Sequence, residues 1–213
     1  ETQARSAWIQ SRGSVHRICQ AEKLLPFITE AIRFFDQHYG RDENGTIKIS
    51  PINILETYQK SYENINSTDV LAPLHRMLPR LLKLDVDAKL LNEWSSLYNS
   101  LPAIPESEDE NGINLIKPAY VYNKFRGNGE NPELYTLFPY RLYGIGVPET
   151  FKTALDSFKY RITPNCACWG QDGIHAAYVG LSDEAKINLI KQFSRTVEDE
   201  GAYIGYWKQG DWV

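Results

Sequence analysis

The sequence predicts an all-α fold of antiparallel helical hairpins. Two observations carry that reading. Apolar residues recur at helical spacing in seven separate segments, and the strict alternation of a half-buried strand hardly occurs. Helices this apolar on one face must stack on others, and no repeat of fixed period points to a regular solenoid.

The first helix is expected over about 21–39, where Leu25, Ile28, Ile32 and Phe35 share a face and Gly40 follows in the usual terminal place. Residues 41–57 read as a loop, with Asn44-Gly45 as a turn and Ile47-Lys48-Ile49 as a short alternating stretch. A second helix begins after the capping chemistry of Ser67-Thr68-Asp69 and carries Leu71, Leu74, Leu78 and Leu81 on one side. Pro73 suits its first turn; Pro79 predicts a kink or break. A third helix, about 86–100, brings Leu90, Leu91, Trp94 and Leu97 together. Residues 102–132, rich in Pro, Gly, Asn and charge, read as one long functional loop. Helices resume at about 133–144, 148–161, 172–180 and 182–198, the last capped by Ser182, with Asp183 and Glu184 complementing its dipole.

Composition narrows the function. The 213 residues are 42% apolar, enough for a sizeable core, and contain no run of about 18 apolar residues that would span a bilayer. A soluble chain with no membrane partner is expected. The net charge of −4 and the absence of a basic stripe argue against nucleic acid. The acidic run 106–110 reads as a solvated loop. Tyrosine (13), phenylalanine (8) and tryptophan (5) are plentiful, which suits stacking on sugar faces as well as core packing. Cys19, Cys166 and Cys168 make neither a disulfide framework nor a zinc site, so no metal or cofactor is expected. Two sequons, at Asn44 and Asn66, matter only in a eukaryotic secretory pathway; the compartment, secreted and periplasmic locations included, stays open.

Three segments carry polar and aromatic residues that core packing does not require. They are 49–58, which sets Glu56 between apolar residues and Tyr58; 130–139, with Glu133 and Tyr135; and 168–175, with Trp169, Gln171, Asp172 and His175. Each has a plain alternative: Asp172 as a helix cap, Glu56 as a surface carboxylate, Glu133 as a first-turn acid.

These segments, in this order, resemble the second half of the six-hairpin (α/α)6-toroid glycosidases, the superfamily that includes glycoside hydrolase family 95. Ser50-Pro51 upstream of Leu55-Glu56-Thr57 is similar to the loop that carries the general acid there, although four residues separate Pro51 from Glu56. Asn131-Pro132-Glu133-Leu134-Tyr135 and Leu137-Phe138-Pro139 resemble a less-studied bacterial branch, and Trp169-Gly170-Gln171-Asp172 resembles the entry to the last inner helix. The resemblance covers roughly residues 21–213 and implies that residues 1–213 are the C-terminal part of one toroid catalytic domain.

It implies a glycoside hydrolase acting on an oligo- or polysaccharide, with Glu56 as general acid and Asp172 as general base. Their carboxyl groups are expected at the inverting separation of about 6.5–9.5 Å. Glu133, Tyr135, Trp169, Gln171 and His175 would contact substrate, with Tyr120, Tyr122 and Trp207 as further stacking rings. Seven helices fall short of the twelve in a closed toroid, so the remainder of the ring is expected from a longer polypeptide or another chain. Two alternatives stand beside the hydrolase: a non-catalytic carbohydrate-binding toroid, and a polysaccharide lyase on the same fold that would use Tyr135 and His175.

Overall fold

The computed structural model describes residues 24–164 and 171–193. Six α-helices lie within the described residues: α1 (Leu25–His38), α2 (Thr68–Leu81), α3 (Ala88–Ser100), α4 (Pro148–Lys159), α5 (Asp172–Tyr178) and α6 (Ser182–Phe193). Between them run four strands, β1 (Ile65–Ser67), β2 (Glu106–Glu108), β3 (Asn114–Ile116) and β4 (Ala119–Val121).

The expectation of an all-α toroid built from helical hairpins is thereby corrected. β1 pairs antiparallel with β4, Ile65 opposite Val121 and Ser67 opposite Ala119, and β2 pairs antiparallel with β3. The described residues form a mixed α and β arrangement. Three of these strands come from the proline-rich stretch expected to be a structureless loop. Each is three residues long, too short to display an alternating pattern, and β2 buries none of its side chains. Their backbone groups pair all the same, because an unpaired N–H or C=O away from water is costly.

Helix periodicity otherwise translates directly into packing. The predicted face of α2 is buried, and that of α3 is buried at Trp94 and Leu97 and half-buried at Leu90 and Leu91; Leu71, Leu78, Trp94 and Leu97 are fully enclosed. With Ile32 of α1 and with Ile47 and Ile49 of the 41–57 loop they form one core cluster. α2 runs on through Pro79 and ends two residues later at Leu81, so no break occurs before its last turn. A second cluster joins Ile116 of β3, Leu134, Leu137, Phe158 of α4 and Ala176 of α5, and Ile104 touches both. A small third group, Ile54, Tyr58 and Ala119, fastens the 54–58 turn to β4.

The helix expected over 133–144 is a single 3-10 turn, Pro132–Thr136, followed by irregular turns. Arg141 (φ 52°) and Gly144 (φ 112°) lie in left-handed backbone, which ends any regular helix. A Cβ at Gly144 would meet the Tyr178 carbonyl oxygen at 2.6 Å, so the close approach of this turn to α5 requires glycine.

Candidate functional site

The tight turn at residues 54–58 is anchored at both ends and exposed in the middle. Ile54 and Tyr58 are buried and bridge each other, with Ile54 N–H donating to the Tyr58 carbonyl at 3.2 Å. Leu55 between them has φ 48°, a left-handed conformation that a branched side chain rarely adopts. It is held there by Asp69, in the first turn of α2, whose Oδ2 accepts the Leu55 N–H at 3.1 Å. Glu56 follows at the apex with its side chain exposed to solvent. The enclosing apolar surroundings expected from Leu55 and Tyr58 are absent there.

A second segment packs on the far side of this turn. Gly127 N–H donates to the Thr57 carbonyl at 2.7 Å, and Thr57 Oγ1 donates to Asn128 Oδ1 at 2.7 Å. Asn128 Nδ2 in turn donates to Glu130 Oε2 at 3.0 Å. A Cβ at position 127 would come within 2.8 Å of the Glu56 carbonyl oxygen, so glycine lets the two segments close on each other.

Glu130 feels the charges of both Glu56 and Asp69. Glu130 is half-buried; burial raises its pKa, the Asn128 hydrogen bond opposes the rise, and the charges of Glu56 and Asp69 add to it. Burial likewise raises Asp69, against the hydrogen bonds it accepts, and its Oδ1 is buried with no hydrogen-bond partner among the described residues. Tyr135 adjoins the same group: burial pushes its phenol up to about 12, Glu130 and Asp69 reinforce this, and the neighbouring Gln171 side chain works against it. Tyr140 is raised by burial and by Asp69. Burial is the main reason that Glu130 and Asp69 hold a proton more tightly than an isolated carboxyl, and at Glu130 the nearby negative charges add to it.

Glu133 lies one turn deeper, beside Arg126, Tyr58 and Tyr122. It is 5% exposed, its Oε2 has no hydrogen-bond partner among the described residues, and burial pushes its pKa up to about 7 despite its own backbone N–H and Arg126. Arg126 donates to Tyr58 Oη at 2.8 Å and to Thr163 Oγ1 at 3.1 Å, and its guanidinium lies 5.3 Å from the Tyr58 ring centre. Tyr122 meets the Tyr58 ring edge-on at 5.1 Å.

Asp172 and His175 sit on α5 in different surroundings. Asp172 Oδ1 accepts from Arg161 Nε at 2.6 Å, and the two side chains are 6% and 5% exposed. Arg161 is itself stacked on Phe158, 3.9 Å from the ring centre. The sequence suggests a general base at Asp172; in the fold this carboxylate is held in a buried ion pair. His175 is 4% exposed; burial lowers its pKa to about 4, the Phe138 carbonyl opposes this, and Arg161 adds to it.

Of the residues singled out in the sequence, Tyr135 and Gln171 come together beside Glu130, and the charge of Glu56 also reaches Glu130. Glu133 lies behind them, and Asp172 and His175 belong to the anchor around Arg161. Trp169 falls outside the described residues, as do Trp207 and the three cysteines. Asp69 and Glu130 were missed. Asp69 reads in sequence as part of the capping chemistry of Ser67-Thr68-Asp69 and lies in the first turn of α2; Glu130 opens the segment that contains Glu133. Their common signal is tertiary, because residues 69 and 130 meet only through the 54–58 turn.

Among the described residues no group of three His, Cys, Asp or Glu side chains is arranged to hold a metal ion, and no helix is long and apolar enough to cross a membrane. No protein-family model matches the chain, and no curated protein and no solved structure matches it.

Proposed function

We propose that this chain hydrolyses glycosidic bonds at the Glu56–Asp69–Glu130 cluster. Glycoside hydrolysis needs one carboxyl group that still carries a proton to deliver to the leaving oxygen. It needs a second carboxylate to activate water or attack the anomeric carbon. Glu130 is the proton donor in this reading and the exposed Glu56 the partner. Asp69 holds the Leu55–Glu56 backbone in place, and Gln171, Tyr135 and Tyr140 meet sugar hydroxyls and ring faces. Asp172 takes no part in the bond-breaking step.

The observation that carries the reading is the raised proton affinity of Glu130, set by burial and by the charges of Glu56 and Asp69. Acid and base assignments follow where neighbouring carboxyl groups are pushed apart in pKa. The likeness of residues 49–58 and 130–139 to six-hairpin glycosidases supports a sugar as substrate; it bears on the chemistry and not on the fold.

The test is release of new reducing ends from a panel of plant and bacterial oligosaccharides. Glu130→Gln and Glu56→Gln are each expected to slow hydrolysis by about 10²-fold or more while leaving sugar binding in place. Unsaturated products absorbing in the ultraviolet would indicate elimination instead. Hydrolysis that persists in both variants, or none with any substrate, overturns the assignment.

A further inference from the structure

A hollow away from the Glu56–Asp69–Glu130 cluster is bordered by β2 and the chain leading into it, by Lys117, by β4 and by Tyr143. Its volume is about 530 Å³, within the size range of small-ligand sites, and Ile104, Glu106, Lys117, Ala119, Tyr120 and Tyr143 are among the residues that line it. We propose that this hollow binds an acidic sugar, a uronate unit whose carboxylate is held by Lys117.

Lys117 is the group that selects the charge. Its backbone is fixed on both sides: its N–H donates to the Pro105 carbonyl at 2.8 Å, and its carbonyl accepts from Thr68 Oγ1 at the start of α2. Among the described residues its ammonium makes no ion pair and lies 5.6 Å from the Tyr122 ring centre. A half-buried cation that forms no ion pair gains from a ligand that brings a carboxylate to it.

The rest of the wall selects hydroxyl groups and a ring. Both oxygens of Glu106 are already oriented, one accepting from Tyr143 Oη and the other from Asn114 Nδ2. Each retains a lone pair for a further donor. Tyr120 donates to the Ala103 carbonyl at 3.1 Å, which fixes a 47% exposed aromatic ring at the rim. Ile104 and Ala119 supply the apolar floor. One cation and one carboxylate in the same hollow disfavour a polyphosphate and suit a singly charged, hydroxyl-bearing ring. The proposal stands whether or not the Glu56–Asp69–Glu130 cluster is catalytic.

Titration calorimetry of the whole chain with trigalacturonate, its methyl ester and acetate separates the possibilities. Trigalacturonate should bind, its uncharged ester at least about tenfold more weakly, and acetate not measurably, since a charge-assisted hydrogen bond is lost with the charge and the ring contacts are lost with the sugar. Lys117→Met should reduce affinity for the acid to that for the ester, and Lys117→Arg should restore it to within about threefold. Should Lys117→Met fail to fold, the acid and ester pair on the native chain still decides. Equal affinity for acid and ester, unchanged binding in folded Lys117→Met, or no binding of trigalacturonate overturns the proposal. Glu130→Gln must leave this binding intact, so loss of hydrolysis and loss of the uronate site remain distinguishable.

Discussion

Asp69 Oδ2 and the Leu55 backbone N–H meet at 3.1 Å, and this bond ties the first turn of α2 to the residue immediately before Glu56. Leu55 is in left-handed backbone, so the turn needs an outside hold, and Asp69 supplies it. The same carboxylate contributes to the charge felt by Glu130. One side chain thus positions one acid of the site and raises the proton affinity of another.

Asp69→Ala removes that hold. Hydrogen exchange at the Leu55 and Glu56 amides should quicken by about tenfold or more, while amides in the middle of α2 keep their protection. If the proposed hydrolysis occurs at this cluster, it should fall mainly through kcat, because a loosened turn misplaces Glu56 without removing the proposed sugar contacts. Unchanged exchange at Leu55 would show that other contacts hold the turn.

Glu133 and His175 give opposite pH dependences of stability. Glu133, at about 7 in the fold against an ordinary 4.5, contributes stability that is complete below about 4.5 and lost as pH rises to about 7. His175, at about 4 against 6.5, contributes stability that is complete above about 6.5 and lost as pH falls towards 4. Between about 4.5 and 6.5 the two slopes oppose each other. Glu133→Gln should therefore unmask a steep loss towards acid and raise stability at pH 8 by about 1–3 kcal/mol. Urea unfolding across a pH series reads this, and a variant curve parallel to the native one would contradict the burial of Glu133.

Arg161→Met leaves the Asp172 carboxylate without its guanidinium in a 6% exposed position. The expected cost is about 3–5 kcal/mol, read as a drop in Tm. Arg161→Met combined with Asp172→Asn should recover at least half of it, because the buried carboxylate charge is removed together with the guanidinium that faces it. A double variant no better than the single one would mean that Arg161 acts through its stacking on Phe158 instead.

What was legible in the sequence was what repeats along it. Leu71, Leu74, Leu78 and Leu81 announce a buried helical face, and that face is buried. The Gly45 turn signal and the Ile47 and Ile49 pair were equally plain; Gly45 has φ 81°, and both isoleucines are fully enclosed. The strands were not legible, because three residues hold too little pattern and their partners lie far along the chain, as Ile65 and Val121 do. The 133–144 segment misled because Leu134 and Leu137 have helical spacing, yet the backbone turns left-handed at Arg141. Glu56 stands out in the sequence from its neighbours. Asp69 and Glu130 were hidden because an acid in a first helical turn and an acid in a polar loop look ordinary until folding brings the charge of Asp69 to bear on Glu130.

The carboxyl ¹³C titration of Glu130, followed by NMR in the native chain and in Glu56→Gln, tests the shared site most directly. In the native chain Glu130 should titrate above the ordinary carboxylate range, and removing the Glu56 charge should bring it down measurably. Titration at the ordinary value in both, or a raised value that Glu56→Gln leaves untouched, would mean that the two side chains do not share a site.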